Sequence, residues 1–412
     1  MKIVHLTSGS MNSGASKGAY ILHKKLLANK INSFLINDDE ILGKFTNTEF
    51  VNNNLLKKIR YRLINILNKL PKVFYLKRKS NAFDNSFIGF NFTKYDLIKK
   101  ADIIHLHWIN KSYSNISYLE KLKKPVVWTL RDMWAFTGGC HYALECTKYK
   151  QSCGRCISLK SKFTKDISYW NQKIKKENNK EIKINYVAIS KWLKGEATKS
   201  LILKNKNIKV IYNGVDNKKF FPIIKNNLKN IMNIPTNKKI ILFGSQYINS
   251  EYKGFQYLLE ALKYLKKQDY FLITFGKIDY LKEIKQTGIE YKNFGFINDD
   301  AKLRKIYNLA DIFIASSTQE AFGKTIVESL LCGTPVVCFK KTAVSEIVSH
   351  KKNGYCSIFL NSKSLANGIK WVSKNYNKFN KKKNLQKNKF FKDNYMTRQY
   401  ISLYRNILKN DL

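Results

Sequence analysis

Ser316-Ser317-Thr318-Gln319-Glu320-Ala321-Phe322-Gly323-Lys324-Thr325-Ile326-Val327-Glu328-Ser329-Leu330-Leu331-Cys332-Gly333-Thr334-Pro335-Val336-Val337 is the stretch whose pattern sets the fold. An apolar run at 311–315 leads into it and reads as a strand. The polar residues after it form a loop, Gly323 lets the backbone approach something closely, and a helix is expected over 324–331. Gly333 stands where a left-handed residue ends a helix, and Pro335 opens the next strand. A loop that runs from a strand into a helix start presents N–H groups and a positive dipole end, which suit phosphate. Glu320 in the loop and Glu328 in the helix can face one cleft, and carboxylates accept hydrogen bonds from paired hydroxyls. Sugar and ribose are therefore natural ligands; the plainer alternative is that Glu320 caps the helix and Glu328 is solvated.

Outward from this unit the same alternation repeats. Strands are expected at 3–6, 33–36, 102–108, 126–130, 185–189 and 209–212, and again at 239–243, 271–275, 311–315 and 335–339. These runs are apolar nearly throughout, as parallel strands covered on both faces are. The fold class is therefore α/β, with two Rossmann-like, doubly wound parallel-sheet domains. The pattern divides into a first domain at 1–216, a polar linker at 217–238 containing Pro222 and Pro235, a second domain at 239–372 and a terminal segment at 373–412. Tyr400, Leu403, Tyr404, Ile407 and Leu408 share one helical face, which predicts a final helix packing back on the first domain.

At 412 residues with 44% hydrophobic content, the chain can build two cores. Seventy-five Lys+Arg against 29 Asp+Glu give a formal net charge of +46. Compositional drift, attraction to an anionic membrane surface and nucleic-acid binding compete to explain it. No helix-turn-helix, zinc-finger or aromatic RNA-binding signature accompanies the charge, so nucleic acid is not the expected partner. The opening residues carry no signal-peptide core and no run reaches the length of a membrane span, so a cytoplasmic location is expected. Seven cysteines fit a disulfide framework poorly; Cys332, Cys338 and Cys356 sit singly in apolar surroundings, as core residues do.

The Glu-x7-Glu spacing, the Phe322-Gly323 pair and the trailing Gly-x-Pro-Val-Val strand together resemble the signature of retaining GT-B glycosyltransferases of family four. Val210-Ile211-Tyr212-Asn213-Gly214-Val215-Asp216, with Phe220 and Pro222, resembles that family's interdomain strand and turn. Lys253-Gly254 is similar to its diphosphate-binding lysine, and Ser13-Gly14-Ala15-Ser16-Lys17-Gly18 to its first glycine-rich loop. The likeness is clear over 186–355 and patchier before it. It implies a nucleotide-sugar donor carried by UDP or GDP, no cofactor for the transfer, and a cleft between the domains. It also implies that Glu320 meets the donor sugar's hydroxyls and Glu328 the ribose. Phe322, Gly323, Lys324 and Thr325, with Lys253 and Gly14, would hold the diphosphate. Ser245 and Gln246 stand where the family has an arginine, and Arg131 stands where many members have a histidine. With a pKa above about 12, Arg131 serves as a cation or positions the acceptor, not as a base.

The segments 102–109 and 128–142, with the cysteines after them, resemble the bacterial subgroup that assembles colanic acid, O-antigen and capsule, whose acceptors are lipid-linked glycans. His105, His107 and His141 lie at strand ends or in loops, where acceptor-facing groups belong. Cys140, Cys146, Cys153 and Cys156 follow a Cys-x5-Cys-x6-Cys-x2-Cys spacing that fits structural zinc, unliganded thiols or disulfides. Between Leu55 and Lys79 stand Lys57, Lys58, Arg60, Arg62, Lys69, Lys72, Lys77, Arg78 and Lys79, with no acid, beside apolar residues at helical spacing. Such a stretch is either an ordinary core helix or an attachment to anionic lipid. The expected activity is a retaining transferase of surface-polysaccharide assembly, peripheral on the inner face of the cytoplasmic membrane. A GT-B epimerase or hydrolase acting on a nucleotide sugar, or a basic nucleic-acid-binding protein, is the alternative.

Overall fold

The computed structural model describes residues 1–10, 14–38, 46–51, 55–75, 83–85, 87–110, 113–224, 228–279, 281–379 and 388–410. The chain divides into two compact units, Met1–Tyr212 with Met396–Leu412, and Asn213–Tyr395.

In the first unit, β1 (Lys2–Leu6), β2 (Asn32–Asn37), β3 (Thr48–Phe50), β4 (Ile103–Leu106), β5 (Val126–Leu130), β6 (Ile184–Ala188) and β7 (Ile208–Val210) form one parallel sheet in the order β3-β2-β1-β4-β5-β6-β7. The expected apolar strands are there; the short edge strand β3 is additional. Ile3, Ile103, Val127 and Val187 present one face of the sheet to Leu22 and Leu26 of the helix Gly14–Ala28 and to Tyr400, Tyr404 and Ile407 of the helix Asp393–Asn410. The last helix thus packs on the first unit, as its apolar stripe requires.

In the second unit, β8 (Lys239–Tyr247), β9 (Tyr270–Lys277), β10 (Tyr291–Asn293), β11 (Ile312–Ala315), β12 (Val336–Phe339) and β13 (Gly354–Ser357) pair in parallel in the order β10-β9-β8-β11-β12-β13. The sequence pattern did not resolve the short strands β10 and β13, which lie at the two edges. Both sheets reverse their winding once, beside β1 and β4 in the first and beside β8 and β11 in the second. Loops at the carboxyl ends of those strands are where open α/β sheets bind ligands.

The unit boundary corrects the expected linker. Residues 213–238 belong with the second unit. Phe220 is buried against the Tyr307 ring, the Asn308 side chain bonds both Ile223 N and Phe221 O, and Lys219 pairs with Asp300. Two aromatics gripping the helix Asp300–Leu309 outweigh the polar composition that suggested a free connector. The terminal segment is corrected too, because the helix Ser362–Lys374 runs past 372 and residues up to Tyr395 remain with the second unit.

Candidate active site

In the second unit β11 ends in the loop that opened the sequence reading. Gly323 adopts φ 93° and precedes the helix Lys324–Leu331, which no side chain caps. That φ demands glycine, and a Cβ there would stand 2.7 Å from Ile326 Cδ1, the movable end of that side chain. At the far end Gly333 N donates to Leu330 O and Thr334 N to Ser329 O, the paired bonds of a Schellman closure. The loop is stitched to the one after β8: Thr318 N donates to Tyr252 O (2.8 Å) and Ser316 Oγ to Gly254 O (2.8 Å). That stitching brings Lys253 Nζ within 2.5 Å of Glu320 Oε2, with 20% and 15% of the two side chains exposed. Burial works against the Lys253 charge, but Glu320 holds its pKa above the ordinary lysine value. The fold thus brings together two residues that stand 67 positions apart in the chain. The alternative that Glu320 is only a helix cap is set aside, since its carboxylate meets Lys253.

Glu328 is buried rather than solvated. Its Oε2 accepts from the Tyr307 hydroxyl (2.9 Å) and its Oε1 faces Lys324 Nζ at 3.1 Å. Tyr307 was missed, because nothing in the spacing of the helix Asp300–Leu309 marks it apart from other core aromatics. Phe322 is buried with its ring 5.8 Å from that of Phe391, and Thr325 lies on the first helical turn. Ser245 is buried in β8 and Gln246 follows it there, so no arginine stands at that strand end.

In the first unit, Gly14 opens the helix Gly14–Ala28 and has nothing within 4 Å of where a side chain would stand. Ser13 lies outside the described residues. Beside the loop after β1, Asp38 accepts from Ser8 Oγ (2.9 Å), Gly9 N (2.6 Å) and Tyr61 Oη (2.7 Å). Gly9, at φ 84°, lies so close under the Trp108 ring that a Cβ would be 2.9 Å from it.

His107 and His141 correct the expectation of acceptor-facing groups, because both are buried and engaged at both ring nitrogens. His107 Nδ1 meets Arg131 Nη2 at 3.0 Å and its Nε2 meets His5 Nδ1 at 3.0 Å. His105 bonds Tyr404 Oη and Thr129 Oγ1, each at 2.7 Å, and Thr129 bonds Tyr400 Oη at 2.8 Å. Among the described residues, His5, His105 and His107 are the one histidine–cysteine–acid group whose ligand atoms already lie within 4.8 Å of one another. Their nitrogens are spent on one another and on neighbours, His5 Nε2 excepted, and Arg131 adds a positive charge beside them. Burial, reinforced by neighbouring histidine and Arg131 charge, holds all three pKa values well below 6.5. They form a neutral network, not a cation site. His5 was missed, although a histidine inside each of the apolar strands β1 and β4 was a visible signal.

His141 is the opposite case. Its Nδ1 lies 2.6 Å from Asp132 Oδ2 and its Nε2 2.9 Å from Asp84 Oδ2. Burial opposes its charge, yet the two carboxylates hold its pKa at about 9. Burial likewise pushes Asp84 up, but His141 and Lys72 bring it down to about 2. Asp132 also accepts from Trp108 Nε1 (2.7 Å) and Trp134 N (2.8 Å). His141 is therefore a structural cation binding two segments together, and Arg131, buried beside Gly18, is held by His107.

Residues 224–390 match the family model described as "Glycosyl transferases group 1". The protein is a glycosyltransferase whose residues 224–390 resemble the group 1 family. An uncharacterized glycosyltransferase of Methanocaldococcus jannaschii is 26% identical over 80% of this chain and 91% of its own length. An N,N'-diacetylbacillosaminyl-diphospho-undecaprenol alpha-1,3-N-acetylgalactosaminyltransferase of Campylobacter jejuni is 25% identical over 52% of this chain and 58% of its own length. Among solved structures, Anabaena HepE in complex with UDP-glucose superposes with a TM-score of 0.67, covering 98% of this chain and 100% of that one at 19% identity. The glycosyltransferase thus has the GT-B fold, two parallel α/β sheets, that its sequence resemblance implied.

Proposed function

We propose that this glycosyltransferase moves a sugar, with retention at the anomeric carbon, from a UDP- or GDP-sugar to a lipid-linked glycan in surface-polysaccharide assembly. One observation carries the reading: Lys253 and Glu320 pair at 2.5 Å beside the uncapped helix start at Gly323. A cation suited to a diphosphate and a carboxylate suited to sugar hydroxyls are thus neighbours at the switch point of a doubly wound sheet. The diphosphate competes for Lys253, which releases Glu320 to accept from the sugar's hydroxyls. The anomeric carbon–phosphate oxygen bond breaks, the acceptor oxygen bonds the same face, and its proton passes to the departing diphosphate. Lys253 and the first amides of the helix Lys324–Leu331 stabilise the charge that develops. Glu328, aligned by Tyr307, takes the ribose. UDP-glucose in the HepE structure and the undecaprenol-linked substrate in the name of the Campylobacter relative support the choice of donor and acceptor.

The test is turnover of a nucleotide-sugar panel with and without a polyprenyl-diphosphate glycan. Transfer that needs the acceptor supports the reading. Equal consumption of donor without acceptor would make the enzyme a hydrolase or epimerase.

The acceptor's lipid also gives a use to the helix Leu55–Val73. Its apolar residues face outward, with Leu56 79% and the following Phe74 87% exposed. Lys57, Lys58, Arg60, Arg62, Lys69 and Lys72 flank them, while Lys77, Arg78 and Lys79 lie outside the described residues. The helix is held on the unit by polar ties, Tyr61 to Asp38 (2.7 Å) and Lys72 to Asp84 (3.1 Å), and so leaves its apolar stripe uncovered. This corrects the ordinary-core reading of the stretch. No helix among the described residues is long and apolar enough to cross a membrane. The helix lies on an anionic bilayer surface, each basic residue there adding about 1 kcal/mol. Sedimentation with anionic but not neutral vesicles is expected; equal binding to both would remove the electrostatic part of the idea.

A further inference from the structure

Transfer makes no use of Cys140, Cys146, Cys153 and Cys156. All four line a single cavity of about 20 Å³ formed by residues 137–156 and Ser168 of the helix Ile167–Glu181, room for one body the size of a water molecule. None forms a disulfide. Hydrogen bonds fix their backbone: Cys153 N donates to Gln172 Oε1 (2.6 Å), Cys156 N to Asp166 Oδ2 (2.8 Å) and Cys146 N to Ala143 O (2.9 Å). Glycines make the wall thin. A Cβ at Gly138 would stand 2.9 Å from Cys153 Sγ, and one at Gly154, at φ 130°, would stand 1.9 Å from Thr164 O. Lys148 lines the site with Nζ on Gly154 O (3.1 Å) and Arg155 O (2.8 Å).

We propose that this cavity holds one structural Zn²⁺ bound by the four thiolates. The segment around it has a single 3-10 turn, Lys148–Lys150, as its regular structure between residues 137 and 166, so a cross-link supplies order that hydrogen-bonded elements do not. Four thiolates on Zn²⁺ leave a net charge of −2, part of which the Lys148 ammonium group offsets. Zn–S bonds of about 2.3 Å put tetrahedral sulfurs about 3.8 Å apart. No three of the cysteine sulfurs lie within 4.8 Å of one another among the described residues, so binding draws them in around the cavity and releases their protons. Cys140 directly precedes His141, so the ion also fixes the residue that ties Asp84 to Asp132.

The test is elemental analysis of the full chain purified without chelator, paired with thiol counting on the native protein. One zinc per chain is expected, with four of the seven thiols protected until a mercurial releases the metal. Cobalt added to stripped protein should give the visible absorption of a tetrahedral thiolate site. Cys146→Ser should lose the metal while Cys332→Ser keeps it. Metal-free protein with all four loop thiols reacting, or a Cys140–Cys156 disulfide found by mass spectrometry under non-reducing conditions, would overturn the proposal. Both readouts use the wild-type chain, so they stand even if Cys146→Ser does not fold.

Discussion

Lys253 and Glu320 of the second unit form one contact at the mouth of a loop, 20% and 15% exposed, whereas the histidines, Arg131 and Asp84 of the first unit are sealed inside it and bonded at nearly every polar atom. A partly exposed pair in a loop exchanges its partner easily for a ligand. A buried network loses a desolvated bond with each change. The second unit's charges are thus placed to be used, and the first unit's to hold strands and loops in position.

The comparison breaks most visibly at Asp84. Asp84→Ala removes one of the two carboxylates around His141 and the carboxylate beside Lys72, and is expected to cost about 3 kcal/mol in urea unfolding, without a specific loss of nucleotide affinity in whatever fraction folds. A loss under 1 kcal/mol would show the network to be slack. Glu320→Gln should do the reverse. Turnover is expected to fall about a hundredfold or more, roughly 3 kcal/mol, while the melting temperature stays at the wild-type value. Matching losses of turnover and stability would place Glu320 in the scaffold.

A smaller effect sharpens the first-unit side. His5, His105 and His107 are kept neutral by burial, with Arg131, Tyr400, Tyr404 and His23 around them. Their native pKa values lie below that of the unfolded chain, so below pH about 6.5 the unfolded state binds more protons. These three histidines should add no pH dependence above that pH and should make stability fall as the pH drops beneath it, while His141, held at about 9 in the fold, should make stability decline as the pH rises from about 6.5 towards 9. Each histidine contributes up to about 1.4 kcal/mol per pH unit. His105→Gln should make the acid limb shallower by one proton, and an unchanged slope would show that His105 is not buried neutral. His107→Gln is expected to act least of all on nucleotide binding, within about twofold by calorimetry. A tenfold loss would move His107 into the site.

How much of this could be read from the sequence follows the same division. The strand–loop–helix–strand run around Gly323 is local, and its glycines, proline and apolar strands announce themselves, so the helix Lys324–Leu331 and the glycine turn before it were legible. The resemblance implied a donor-binding role for both Lys253 and Glu320, but their ion pair was not foreseen. Tyr307 beneath Glu328, Asp84 against His141, and Tyr400 and Tyr404 against Thr129 and His105 come from parts of the chain 21 to 299 residues apart, and spacing carries no record of such contacts. His107 looked exposed because a strand end often is; the neighbouring His5 and Arg131 enclose it. The linker was misread because composition sees lysines and asparagines, whereas Phe220 and Phe221 decide where the chain is held.

The central claim is that the loop at Gly323, with Lys253, takes the diphosphate of the donor. Calorimetric titration of UDP and GDP into the wild type and into Lys253→Ala tests it most directly. The expected result is saturable binding of one nucleotide by the wild type and at least about tenfold weaker binding by the variant, about 1.4 kcal/mol, at an unchanged melting temperature. Equal affinity in the two proteins, or no binding of either nucleotide by the wild type, would contradict it.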